Sequence, residues 1–157
     1  MTAWWGTKDN VSPRLRLEVE AMRATFGDTF RLVVPKKKKN LYWVGTVEIN
    51  LQGVPQREHV LKIVYPARYP YHPPEAYVLK PYIYSPKHQF EDGQLCLFNP
   101  KDGRAYGWNP ARSTAVTVAG WAIEWLYAYY TWRQIGIWPG QEERVKRSPL
   151  DLLFGEE

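Results

Sequence analysis

The chain has 157 residues, about the length of one domain, and is long enough to bury a sizeable single core. Hydrophobic residues make up 45% of it and charged residues 24%, a balance that excludes a disordered tail, a collagen-like repeat and a coiled-coil rod. The 8 Trp, 11 Tyr and 13 Pro predict a core built from large aromatic side chains and long loops held in extended conformations.

The formal net charge is +5, and a single run of lysines, Lys36–Lys39, supplies most of it. Such a run in a short loop is most often solvated, and binding of phosphate or of an acidic partner is the alternative. A nucleic-acid binder that used this run together with Tyr42 and Trp43 would need more positive surface. We therefore expect no specific nucleic-acid partner.

Several site classes are excluded by what this sequence lacks. A lone cysteine, Cys96, allows no disulfide within the chain and no multi-thiolate zinc site. His59 and His72 have no ligand-like spacing to Cys96 or to His88, so we expect no metal and no cofactor. No apolar run approaches the ~20 residues that span a membrane, and no signal peptide is visible. These features predict a cytoplasmic protein without a membrane partner.

The first predicted element is a helix. Ser12 and Pro13 are typical of a helix start, and Gly27 is typical of the position just past a helix end. Between them, one apolar stripe at helical spacing consists of Leu15, Val19, Met22 and Phe26.

Four extended segments follow, and the first three are joined by loops short enough for an antiparallel meander. The segments are Phe30–Val34, Leu41–Asn50, His59–Tyr65 and the short Glu75–Lys80. Prolines between Tyr65 and Pro81 are too dense for a regular central strand. Residues 82–112 then form a long irregular loop, and loops of that length inside a compact domain are usually functional.

A second helix is predicted from Ser113 or Thr114 to about Arg133. It is apolar on nearly all sides, so we expect it to be largely buried. The order of helix, four-strand meander, long loop and buried helix predicts an α+β fold. We find no domain boundary, so the whole chain, residues 1–157, is expected to form one domain.

Two residues of the long loop are candidates for chemistry. Cys96 follows a turn signal, and loops on a rigid scaffold carry reachable nucleophiles. A free cysteine between Leu95 and Leu97 is, however, also the kind of residue that fills a core. His88 lies eight residues earlier and is suited to act as a base, a hydrogen-bond donor or a ligand, or to be structural or solvated.

Three motifs together indicate a protein family by their order and spacing. They are YP-x-x-YP-x-x-PP at residues 65–74, DG-x-L-C-L at 92–97 and W-N-P-A at 108–111. In this order and spacing the chain resembles the ubiquitin-conjugating enzyme family. The resemblance covers about residues 12–133 and leaves residues 134–157 as a C-terminal tail. It implies that family's fold, a helix and a four-stranded meander followed by further helices.

The resemblance also implies roles for matching residues. Cys96 corresponds to the cysteine that accepts an activated C-terminal acyl group as a thioester, and Trp108 and Asn109 lie in the segment that lines the site beside it. His88 stands where eukaryotic members carry an asparagine, which implies an oxyanion donor; a general base or a purely structural role are the alternatives. Asp102 is a candidate to orient the incoming amine, although an Asp-Gly turn is the simpler interpretation.

Other departures from the eukaryotic pattern point to one branch of the family. The spacing from Cys96 to Trp108 is longer, with residues 99–106 as the inserted part, and Gly136-x-Trp138-Pro-Gly follows the second helix. These features resemble bacterial members encoded in antiphage operons, either CBASS or ubiquitin-like conjugation operons. They imply that the carried protein is a ubiquitin-like protein or the C-terminus of a cGAS-like nucleotidyltransferase, with an activating enzyme as a further partner. The competing interpretation is a binding module of the same fold that recognises such a partner without catalysis.

Overall fold

The computed structural model describes residues 3–36, 40–55, 57–97 and 107–139. These residues form two helices and one four-stranded antiparallel sheet, so the predicted α+β class is confirmed. Neither of the described helices is both long enough and apolar enough to cross a membrane.

Helix α1 spans Pro13–Phe26 and has the predicted ends. The Ser12 side chain accepts a hydrogen bond from the Leu15 N–H at 3.1 Å, which satisfies one of the free donors of the first turn. Gly27 follows the last turn with a φ of 60° and donates its N–H to the Arg23 carbonyl. The buried face of α1 includes an acidic residue, Glu18, which the predicted apolar stripe does not contain.

The sheet is a simple meander in which each strand pairs with its neighbours in the chain. The first two strands are shorter than the predicted segments, the third has the predicted length but begins and ends one residue earlier, and β4 has the predicted bounds. Trp43 pairs with Leu32 on one side and with Ile63 on the other, and Ile63 in turn pairs with Ala76. The strands are β1 (Phe30–Val33), β2 (Tyr42–Glu48), β3 (Glu58–Val64) and β4 (Glu75–Lys80).

Helix α2 spans Ala115–Ile135 and contacts α1, β3 and β4. Its start is a capping box, because the Thr114 side chain accepts from the helix backbone and the Thr117 side chain accepts from Thr114 N–H. The helix is largely buried, as predicted, and its buried residues are Ala115, Val118, Ala119, Ala122, Trp125, Leu126, Ala128 and Tyr129. Four of these buried residues are alanines, and such small side chains let a helix backbone lie close to the elements it packs against.

Candidate active site

A short hairpin brings the two candidate residues to opposite positions. Phe90 donates its N–H to the Gln94 carbonyl and accepts from the Gly93 N–H, both at 2.9 Å. Gly93 has a φ of 95°, a conformation that costs glycine little and that closes this type of three-residue turn. Two residues further along each arm, the Cys96 N–H donates to the His88 carbonyl at 2.9 Å. The backbones of His88 and Cys96 therefore lie opposite each other across the hairpin.

The arm that carries the cysteine is anchored to β4. Leu95 is 1% exposed and donates its N–H to the Ala76 carbonyl at 2.8 Å, while Gln94 pairs with Tyr77. Burial of Leu95 leaves the next residue, Cys96, at the boundary of the core with an intermediate exposure. The cysteine is thus not a fully buried core residue.

His88 has an unusual backbone conformation that is held by two donors. Its φ is 58°, and it is the one described non-glycine residue with positive φ. Its carbonyl accepts the Cys96 N–H and also the indole N–H of Trp125, the latter at 2.8 Å. The imidazole lies against Trp138, with ring centroids 4.6 Å apart. Residues held in sparsely populated conformations cluster at functional sites, so this geometry favours a functional position.

The arm that carries His88 is braced by the side chains of Ser85 and Gln89, neither of which is among the predicted site residues. Ser85 donates its N–H to the Gln89 side-chain oxygen at 2.7 Å and its hydroxyl to the Lys87 carbonyl. The Gln89 amide nitrogen donates to the carbonyls of Ile83 and Gly93. Gln89 therefore ties the turn to the segment that leaves β4.

Trp108 belongs to a second segment, which is joined to the proline run. Its indole N–H donates to the Pro70 carbonyl at 2.8 Å, and its ring lies 5.9 Å from that of Tyr69. Asn109 uses its side-chain oxygen within its own turn, where it accepts from the Ala111 N–H. Its backbone N–H donates to the Ser113 hydroxyl. Asn109 thus shapes the turn that leads into α2.

A buried carboxylate, that of Glu18, joins the proline run to the start of α2 by hydrogen bonds. Glu18 is fully buried and accepts hydrogen bonds from both tyrosine hydroxyls of the proline run, Tyr65 and Tyr69, and from the Ala115 N–H. Arg14 completes the group: it donates to Glu18 at 3.2 Å and also to the carbonyls that precede α2, Pro110 and Ser113. We call Arg14, Glu18, Tyr65 and Tyr69 the Glu18 cluster.

The Glu18 cluster shifts the ionisation of its members. Burial, reinforced by the negative charge of Glu18, raises the pKa of Tyr65 and of Tyr69 well above the ordinary tyrosine value. For Arg14, burial opposes the charged form, but Tyr69 and Glu18 together outweigh it and the pKa is raised. The two hydroxyls therefore stay protonated and serve as donors to the carboxylate.

Two of the predicted site features fall partly or wholly outside the described residues. Asp102 and the rest of the inserted segment are among them, and so are Lys37–Lys39 of the lysine run. Lys36 is exposed. Among the residues that are described, no group of three or more His, Cys, Asp or Glu side chains is arranged to hold a metal ion.

A cavity of about 470 Å³ lies on another part of the molecule, between the start of β3, the end of α2 and the segment after β4. It is lined by His59, Tyr130 and Arg133 among others, and not by Cys96 or His88. Both His59 ring nitrogens have partners, the Pro81 carbonyl and the Tyr130 hydroxyl, and burial lowers its pKa. His59 is a satisfied core histidine.

Comparison with known proteins bears on the same residues. A family model described as "Type II CBASS E2 protein" matches residues 18–146, which include the proline run, the Cys96 hairpin and α2. A search of curated proteins gives no match to the chain.

Proposed function

The chain belongs to the family of type II CBASS E2 proteins, the E2-like proteins of CBASS antiphage operons, and we propose that Cys96 carries an activated protein C-terminus as a thioester and transfers it to an amine. We also propose that the α+β fold of this chain is the fold of the ubiquitin-conjugating enzymes. The observation that carries the proposal is the hairpin, in which a partly exposed cysteine is paired with His88.

The proposed reaction has two steps. In loading, the Cys96 thiolate attacks the activated carbonyl carbon, a carbon–sulfur bond forms, and the activating group leaves. In transfer, an amine nitrogen attacks the same carbon, the tetrahedral oxyanion collapses, and the carbon–sulfur bond breaks to regenerate the thiolate. The extra proton of the amine passes to solvent or to a base. Cysteine suits both steps because its thiolate is a strong nucleophile and a good leaving group.

His88 is the residue we propose as oxyanion donor in both steps. Its place opposite Cys96 supports this role, and one preorganised donor contributes roughly 3–4 kcal/mol to the stabilisation of the transition state. A general base for the attacking amine is the alternative and would contribute about 10²–10⁴-fold. We further propose that Trp108 and Asn109 line the path of the substrate and that Asp102 orients the amine.

The partners that we propose are inferred from the family to which the chain belongs. The carried protein is a ubiquitin-like protein or a cGAS-like nucleotidyltransferase with a free C-terminus, loaded in the cytoplasm with the help of an activating enzyme. An acceptor amine on a target protein completes the cycle.

Reconstitution tests this function. The purified chain is incubated with the products of the neighbouring genes and ATP, and the mixture is run on a gel with and without a reducing thiol. An adduct that the added thiol cleaves by exchange supports the proposal. A stable non-covalent complex without any adduct would contradict it, and would favour the binding module instead.

A further inference from the structure

We propose that Trp125 and Trp138 are positioning residues for acyl transfer at Cys96, because together they fix both the backbone and the ring of His88. The proposal rests on the proposed function, since it explains how the residue opposite the cysteine is held. Neither tryptophan is close to Cys96 in sequence: Trp125 lies in α2, and Trp138 lies just after it.

Trp125 holds the backbone of His88. Its indole N–H points at the His88 carbonyl at 2.8 Å, beside the Cys96 N–H that reaches the same oxygen. A left-handed conformation at a non-glycine residue persists only when the surroundings determine it. The indole is well fixed for this task, since it is 4% exposed and stacks on Tyr129 with an interplanar angle of 4°.

Trp138 holds the ring of His88. It is 1% exposed, its centroid lies 4.6 Å from the imidazole, and it also packs edge-on against Trp125 at 5.3 Å. Such aromatic pairs contribute geometric preference as well as buried area. The imidazole is therefore held by a side chain that is itself enclosed.

The chain reaches this arrangement because α2 ends sharply. Gly136 adopts a left-handed conformation, φ 78°, and donates its N–H to the Trp132 carbonyl at 2.7 Å. The reversal that follows returns Trp138 to the helix, beside Trp125 and Trp132. The Gly136-x-Trp138 segment thus contacts the candidate active site through the ring of His88.

Substitution of Trp125 by phenylalanine tests the backbone contact. Trp125→Phe keeps an aromatic ring on Tyr129 but removes the N–H to His88. Trp43→Phe is the matched control, because it removes an equally buried indole N–H, bonded to the Tyr65 hydroxyl at 2.7 Å. We expect the maximal rate of single-turnover discharge to a small amine to fall about tenfold in Trp125→Phe and less than twofold in Trp43→Phe. The amine concentration at half-maximal rate should be unchanged. Equal slowing in the two variants, or no slowing in Trp125→Phe, would overturn the proposal.

A double-mutant cycle tests the ring contact. If Trp138 acts through the His88 imidazole, Trp138→Phe should slow discharge about fivefold in the natural sequence and have no further effect in His88→Ala. Additive effects would show that Trp138 serves general stability, and would overturn its positioning role.

Alkylation of Cys96 by iodoacetamide separates this proposal from the proposed function, since it needs no carried protein. We expect its rate across pH 6–10 to change at least twofold in Trp125→Phe and to be unchanged in Trp43→Phe. If the unsubstituted chain forms no thioester but this difference is found, the proposed function fails, and what stands is only that Trp125 positions His88 beside the Cys96 thiol. If thioester forms but the variants alkylate and discharge alike, the positioning role fails alone.

Discussion

The two ends of α2 hold their neighbouring segments by different means. At its N-terminal end, the buried Glu18 carboxylate binds two tyrosine hydroxyls of the proline run and the backbone N–H of the first α2 residue. Toward its C-terminal end, Trp125 and Trp138 hold the His88 hairpin by ring packing and a single indole N–H. A buried charge is costly when its partners are lost, whereas an aromatic contact can weaken without leaving a charge unpaired. The polar end should therefore govern stability, and the aromatic end should govern the rate of transfer.

The largest effect is expected at the polar end. Glu18→Ala leaves Arg14 and two tyrosine hydroxyls without their shared acceptor, and removing one partner of a buried pair costs about 3–5 kcal/mol. Urea unfolding measures this loss. Glu20→Ala, an exposed position on the same helix, is the control and should change the unfolding free energy by less than about 0.5 kcal/mol. A loss at Glu18 as small as that at Glu20 would contradict the assigned role of the cluster.

His88 tests the other end and should affect rate more than stability. His88→Ala is expected to slow single-turnover transfer by about 10²–10³-fold, the usual effect of removing one oxyanion donor. His88→Asn should recover much of the rate, because an amide N–H can occupy the same place.

Rates measured from pH 5.5 to 8.5 distinguish a donor from a base. Asparagine cannot take up a proton, so a general base predicts no rescue by His88→Asn and a rate that falls as the imidazole protonates. That pair of results would rule out the oxyanion role. Unchanged rates in both variants would leave His88 as a structural residue of the hairpin.

Alkaline pH should weaken the polar end selectively. The pKa of Tyr69 is raised in the folded protein, so the unfolded chain releases the phenolic proton first and stability falls as pH rises above about 10. At neutral pH, Tyr69→Phe should cost roughly 1–3 kcal/mol, because it removes a donor to buried Glu18. The difference between the two proteins should narrow above pH 10, as urea unfolding at several pH values would reveal. A constant difference would contradict the protonated donor.

The smallest effect on chemistry is expected from the lysine run, which belongs to neither end of α2. Changing Lys36–Lys39 to glutamate should slow association with an acidic partner at low salt, where screening is weak. Discharge to a small free amine should keep its rate. Equal loss of both activities would contradict a docking role for the run.

Most of the fold could be predicted because helix ends and strand alternation are local signals. Ser12 and Gly27 bound α1 as predicted, and Thr114, one of two predicted starts, caps α2. The pairing of His88 with Cys96 could have been predicted from the sequence, since the turn signal at Asp92-Gly93 lies midway between them and closes the hairpin.

Two parts of the site could not be found by local patterns. Glu18 lies three residues after Leu15 on the buried face of α1, and an acidic residue among buried apolar ones indicates a buried hydrogen-bond or charge partner. Its partners could not be identified from this spacing, because they lie in segments far along the chain. The contact of Trp138 with His88 depends on the reversal at Gly136, which no periodicity encodes.

The most direct test of the central claim is the mass of the loaded protein. Cys96 is the sole thiol of the chain, so the carried protein should add its mass, less one water, to the unmodified chain, and a reducing thiol should remove it. Cys96→Ser should give an adduct that resists cleavage by the thiol, because an oxyester replaces the thioester. Cys96→Ala should give none while its thermal unfolding stays cooperative. A thiol-reducible adduct on Cys96→Ala would contradict the account.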